Sequence, residues 1–196
     1  PRVEAALEAG DDFELINLFL RNGPFAVRLY ARTELLLKVA EAHRRLGFPI
    51  ESARLFQSLI RDSKAEAFHE VALMGLGDSY LEQKDMRAAR AVFERYRLQF
   101  PVGRFAGQAL LGILTSFEGE GNTPGLVKLG KQWLIHNPRH PDRALVQLKV
   151  ADALRQAKRD AEAAPLYESV LKAGMDLSAL DRLRYADVLA RLNRQE

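Results

Sequence analysis

His136 and His140, four residues apart with Asp142 just beyond, are the residues best placed for metal chemistry. Two imidazoles at i and i+4 on one helix face can share a zinc ion. Here Pro138 lies between them and interrupts the helix that would align them. The chain has no cysteine, and no third ligand completes a set. The segment reads as an ordinary turn. His43 falls at an inward helix position, as a satisfied core histidine does, and His69 is a lone helix residue. Gly119-Glu120-Gly121 and Gly75-Leu76-Gly77 lack the Gly-Lys-Ser/Thr continuation of a phosphate loop. No nucleophile elbow or ordered Ser/His/Asp set is present. The residues imply neither a catalytic centre nor a cofactor.

Composition narrows the class. Of 196 residues, 47% are hydrophobic and 28% charged, as in a folded chain rather than a disordered one. Net charge is only +3, with the two signs interleaved, so no basic stripe points to nucleic acid. No apolar run approaches the ~18 residues of a membrane span. The absence of cysteine excludes disulfides and fits a cytosolic or a bacterial envelope chain equally. The sequence begins at Pro1 without a charged-then-apolar leader, which is read as the mark of an excised fragment or a processed form.

The elements that position these residues repeat every 37 positions. A ring column reads Phe19, Phe56, Phe93, Gly130 and Tyr167. A turn column reads Gly10, Gly47, Lys84, Gly121 and Lys158. A small-residue column reads Ala40, Gly77, Leu114 and Ala151; another reads Ser52, Ala89 and Ala163, broken by Leu126. A fixed period of this size means stacked supersecondary units. Within each unit, Leu36-Val39-Ala40-His43 and its equivalents keep the i, i+3, i+4, i+7 spacing of one helix face. These first helices, termed A, are predicted at about 2–9, 25–46, 66–83, 103–120, 141–157 and 178–193. The second helices, termed B, are predicted at about 12–22, 49–62, 86–99, 124–137 and 160–173. Gly23-Pro24, Pro101, Pro138 and Gly174 stop B helices; Asp85 and Thr123 are candidate caps; Pro165 predicts a late or distorted start. The last A helix offers Tyr185, Val188, Leu189 and Leu192, one residue off the strict period.

Residues 70–101 carry a family resemblance. Leu73, Leu76, Gly77, Tyr80, Ala89, Phe93 and Pro101 stand at the spacing of the tetratricopeptide repeat signature, with Tyr96 where Ala is usual. Residues 33–64 and 144–175 match in part. The resemblance implies an all-α, right-handed α-solenoid of antiparallel helix pairs. It would hold about five repeats, 1–32, 33–69, 70–106, 107–143 and 144–180, plus a terminal helix, 181–196, in one domain of a longer protein. The period exceeds the usual 34, so the extra residues belong to the start of each A helix or the turn before it. The unit at 107–143 departs from the signature: Leu114, Gly130 and Trp133 exchange bulk, and Trp133 is expected to fill the space left at Gly130. The strings around Phe100-Pro101 and Asn137-Pro138 are similar to inter-repeat turns of Gram-negative envelope tetratricopeptide proteins, which favours a periplasmic or envelope location.

The resemblance further implies a non-enzymatic scaffold whose A helices line a concave groove. The fifth position of each repeat is Leu37, Met74, Leu111 and Leu148. The ninth is Glu41, Asp78, Thr115 and Asp152, and the twelfth is Arg44, Leu81, Glu118 and Arg155. An apolar floor beside an acidic row suits an amphipathic helix or an apolar peptide carrying basic side chains. Family members that hold chaperone C-terminal carboxylates use Lys and Asn where this chain has Leu37 and Glu41, so that ligand class is rejected. Alternatives stay open. The leucines could complete the core or be covered by another segment of the same protein, the module could stack on further copies of itself through its terminal repeats, or the chain could belong to an enzyme or a regulator of one whose active site lies in another domain.

Overall fold

The computed structural model describes residues 2–22 and 31–193. Eleven α-helices are described, with no strand among the described residues. The A helices are α1 (Arg2–Ala9), α3 (Ala31–Arg45), α5 (His69–Glu82), α7 (Ala106–Gly119), α9 (Arg143–Gln156) and α11 (Ala179–Leu192). The B helices are α2 (Asp12–Asn22), α4 (Pro49–Arg61), α6 (Met86–Gln99), α8 (Thr123–His136) and α10 (Asp160–Lys172). The chain is an all-α helical-repeat solenoid of adjacent helix pairs. It divides into two compact units, Pro1–Gly112 and Ile113–Glu196, with the boundary inside α7. The expected stop at Gly23-Pro24 and the first residues of the 25–46 helix lie outside the described residues.

Local signals explain the helix ends. Gly10, Gly47 and Gly121 take φ of +65°, +80° and +68°, and Lys84 and Lys158 take 62° and 57° in the same column. A left-handed residue there reverses the chain between A and B helices, and the turn imposes it even where no glycine is present. The Asp85 carboxylate accepts from the Ala88 N–H at 3.0 Å and caps α6. At α8 the cap is Asn122, which accepts from the Gly125 N–H at 3.0 Å; the expected cap, Thr123, is the first helical residue. Pro165 does not delay α10, which begins at Asp160. The proline removes one backbone donor and stands on the exposed side of the helix, where water can serve the freed carbonyl. The residues that lengthen the period lie in the turns before the A helices: a 3-10 turn at Ser63–Phe68, and the links at 100–105 and 137–142.

In unit 1, α3 packs on α4, α4 on α5, and α5 on α6. The ring column is the wedge between successive A helices. A methyl added at Gly75 would lie 2.2 Å from the Phe56 ring, and one added at Gly77 or Gly112 would lie 2.5 or 2.4 Å from the Phe93 ring. Phe56 and Phe93 thus press on bare A-helix backbone, and glycine is what leaves them room. Buried hydroxyls reinforce the stack. Ser52 donates to the Ala40 carbonyl at 2.9 Å, lies 3.1 Å from the Ser79 hydroxyl, and Ser79 donates to the Gly75 carbonyl at 2.7 Å. Tyr96, in the usual Ala position, donates to Glu70 and accepts from the Phe105 N–H at 2.9 Å, fastening the turn that follows α6. Burial, then the Glu70 bond, pushes its phenol up to about 12.

In unit 2, α8 packs on α9, α9 on α10, and α11 on both α9 and α10. Trp133 is buried as expected, but it does not fill the space at Gly130. A methyl at Gly130 would lie 2.3 Å from Val150 Cγ2 and 3.9 Å from Leu114 Cδ1, so those aliphatic chains occupy the missing ring's place. Trp133 instead meets His140 edge-on, with centroids 4.9 Å apart, in the turn before α9. His140 also accepts from the Asp142 N–H at 3.1 Å within the turn, and His136 Nδ1 donates to its own helix's Gln132 carbonyl at 2.7 Å. The inward side of α11 follows expectation in part. Val188 is fully buried, Tyr185 stacks on Tyr167 with centroids 5.3 Å apart, and Leu192 is half-buried, whereas Leu189 is exposed. Arg184 and Arg191, which with Val188 keep the strict 37-residue register, reach back to Asp152 on α9 and Asp160 on α10.

Candidate protein-binding face of the A helices

In unit 1 the fifth-position column divides. Leu37 is 6% exposed and belongs to the core, so the apolar row has no accessible first member. Met74 and Leu111 are half-buried, each offering part of its side chain to solvent, and Leu81 is half-buried one helical turn beyond Asp78. The charged residues fall into two groups. Glu41 lies 3.5 Å from Lys38 and 3.9 Å from Arg45, and Arg45 also clasps Asp12 at 2.6 Å. Arg44 bonds Glu82 at 2.9 Å, and its field also reaches Asp78. Asp78 accepts no hydrogen bond from any described residue. Burial pushes its carboxyl above the ordinary carboxylate value; Arg44 counters this and Glu82 adds to it.

In unit 2 the same columns are knitted together. Leu148 and Thr115 are half-buried. Glu118 accepts from Lys149 at 2.7 Å. Asp152 accepts from the Tyr167 hydroxyl at 2.5 Å and from Arg184 at 2.6 Å, with Arg155 4.0 Å away. Arg155 also lies 3.6 Å from Asp187, while its buried Nε has no acceptor. Burial, and after it the Asp152 bond, holds the Tyr167 phenol well above its ordinary value.

The structure therefore brings Arg44 and Asp78 together with Glu82, and Asp152 and Arg155 together with Tyr167, Arg184 and Asp187. Sequence reasoning missed four of these participants. Glu82 is one residue past the twelfth position. Tyr167 fits the ring column of Phe19, Phe56 and Phe93, and its added hydroxyl is the available signal of a further role. Arg184 and Asp187 keep the strict register of the inward helix face, but charged side chains there carry no apolar signal. No group of three metal-ligating side chains occurs among the described residues, and no described helix is long and apolar enough to cross a membrane.

Comparison with known proteins agrees with this architecture. Residues 71–101 match the family model described as "Tetratricopeptide repeat". That span contains Leu73, Leu76, Gly77, Tyr80, Ala89, Phe93 and Pro101, the residues that stand at the spacing of the repeat signature. No curated protein matches the sequence. Among solved structures the chain is similar to one titled "Crystal structure of MamA", with a TM-score of 0.65 and 14% identity over 86% of this chain and 91% of that one. At that identity the likeness is one of fold. Residues 71–101 thus match the tetratricopeptide repeat, in a chain whose helix pairs resemble that solved structure in fold.

Proposed function

We propose that this protein is a non-enzymatic scaffold that binds another protein through its A helices, with the unit 1 face at Met74, Asp78, Leu81 and Leu111 as the principal contact. The observation that carries the reading is the pairing of half-buried apolar side chains with a half-buried carboxylate that has no hydrogen-bond donor among the described residues. A partner helix or extended segment would bury the apolar parts at about 25 cal/mol per Å², before ordering costs. In unit 2, Leu148 and Thr115 offer a smaller surface, because Glu118, Asp152 and Arg155 are already paired. An envelope location belongs to this proposal only through the likeness of the inter-repeat turns.

The test is a photo-crosslinking amino acid placed at Met74 in cells, with Leu98 on the exposed side of α6 as the control. The reading expects discrete adducts from position 74, lost when Leu111→Glu is added to a chain that stays folded. Unfolding by Leu111→Glu would make that side chain core. Equal adducts from both positions would remove the face from consideration.

A second reading rests on α11. Leu183 is 67% exposed, yet its column is fully buried at Ala72, Ala109 and Val146. Leu180 beside it is 55% exposed. A helix from a second copy could cover this stripe, and Leu183→Glu would then lower the mass seen by light scattering without unfolding the chain.

A further inference from the structure

Asp78 and Asp152 occupy the same position in repeats two periods apart, and the chain itself shows what that carboxylate accepts when satisfied. Asp152 takes one bond from the Tyr167 hydroxyl and one from the Arg184 guanidinium. The corresponding positions around Asp78 are Phe93 and Leu110. Neither side chain has a donor, and both are fully buried. Both native donors are thus missing at Asp78, and nothing described replaces them with a hydrogen bond. Nearby, Asp78 and Glu82 share the single guanidinium of Arg44, which leaves an excess of one negative charge. Half-buried Met74 stands one helical turn before Asp78 and half-buried Leu81 one turn after it, so the charge has an apolar border on its own helix.

We infer that Asp78 is the specificity anchor of the unit 1 face, and that it takes an arginine side chain presented by a partner segment with apolar residues on either side. The inference rests on the binding reading proposed above and narrows its ligand. Arginine fits better than lysine. Its planar fork can bond Asp78, as the Arg184 guanidinium bonds Asp152 in unit 2, and still lie along Met74, whereas an ammonium is a compact and more strongly hydrated charge. Glu41 is excluded as the anchor because Lys38 and Arg45 already flank it, and Asp152 because its donors come from its own chain.

The test uses the full chain and four short synthetic peptides. The parent is acetyl-Ala-Leu-Arg-Leu-Ala-amide, and the others replace its arginine by lysine, by citrulline or by glutamate. Citrulline keeps the shape of arginine and removes its charge. Binding is read by NMR from the methyl of Met74, with Met86 and Met175, the other two methionines, as internal controls. The arginine peptide should move the Met74 methyl and bind about tenfold tighter than the citrulline peptide. Lysine should fall between them, and glutamate should not bind. Asp78→Asn should reduce the arginine-to-citrulline ratio to near one, and Asp78→Glu should restore part of it.

Equal binding of arginine and citrulline by the unsubstituted chain would overturn the inference. So would an arginine preference that survives Asp78→Asn. In both cases a Met74 methyl that still responds would leave the binding face standing. If no peptide moves the Met74 methyl, the face and the anchor fail together. The peptide series on the unsubstituted chain decides the matter even if Asp78→Asn does not fold.

Discussion

Asp78 in unit 1 and Asp152 in unit 2 began as the same position of a repeat, and their surroundings have diverged. Around Asp152 the ring residue is Tyr167 and the next A helix supplies Arg184, so the carboxylate ties three helices together. Around Asp78 the ring is Phe93 and the next A helix supplies Leu110, so the stack is held by apolar contact and the carboxylate is left over. A repeat fold tolerates both arrangements because each unit needs only to match its neighbours. The lesson is that a column of like residues is not a column of like roles. Position in the repeat fixes where a side chain stands, and the two or three residues facing it decide whether it is structural or available.

The contrast breaks most visibly at Asp152. Asp152→Ala removes the acceptor for Tyr167 and one of the two carboxylates that hold Arg184, which keeps Asp181 at 3.1 Å. The expected cost is about 1–3 kcal/mol, measured by urea unfolding. If Asp152→Ala costs no more than a surface substitution, the network holds nothing together and Asp152 is as free as Asp78.

The rings themselves sharpen the comparison. Phe93 lies against Gly77, while Tyr167 shares its repeat with Ala151 in the same column. Gly77→Ala would place a methyl 2.5 Å from the Phe93 ring. Overpacking of this kind costs about 1–3 kcal/mol, offset by up to about 1 kcal/mol of helix propensity. The net loss should appear as a lower unfolding midpoint. Ala151→Gly should instead show only the propensity loss of about 1 kcal/mol. Equal effects at the two sites would mean that the rings are seated alike.

Much of this was legible in the sequence, and for definable reasons. Columns that encode volume or backbone shape announce themselves. Phe56, Phe93 and Tyr167 must fill the same gap, and Gly10, Gly47 and Gly121 must turn the same corner, so the fold followed from the spacing. Lys84 and Lys158 show that even the exceptions were readable, since the column predicts the left-handed turn and the residue complies. Compensation was harder. Gly130 plainly needed a filler, and Trp133 was the bulk at hand on its own helix, but Val150 of the next A helix lies nearest, and volume alone cannot say which side chain points inward. Polar pairing was hardest. Arg184 lies 32 residues from Asp152, and its direction depends on where α11 packs. Availability is therefore the property that sequence conceals. Leu37 and Met74 share a column, and only packing shows that one is sealed and the other half-open.

Phe93→Tyr tests whether unit 1 can be given the unit 2 arrangement. The added hydroxyl should reach Asp78 as Tyr167 reaches Asp152. One hydrogen bond to a charged acceptor is worth about 1 kcal/mol of added stability. The same substitution should weaken the arginine peptide, because Asp78 would then have a donor from its own chain. A variant that is stabilised but binds arginine unchanged would separate the carboxylate's two roles. One that is destabilised would mean that the Phe93 ring sits too deep against Gly77 for a hydroxyl to point at Asp78.

The smallest expected effect is that of Asp78→Asn on the unliganded chain, and its sign is the informative part. Burial raises the Asp78 carboxyl above its unfolded value, so the folded state holds its proton more tightly than the unfolded state does. Such a group lowers stability as pH rises from the unfolded value near 3.8 through the raised folded value, and the loss stays constant above that. Asparagine has no charge to desolvate. At neutral pH the variant should therefore be the more stable protein. Below the unfolded value the difference should vanish, apart from any offset that asparagine brings at every pH. Unfolding midpoints at pH 3 and pH 7, compared for the two proteins, measure it. Asp152→Asn should move the opposite way at neutral pH, because there the charge is matched by Arg184. If both substitutions destabilise at neutral pH, Asp78 has a partner as good as that of Asp152, and the distinction between the two carboxylates is lost.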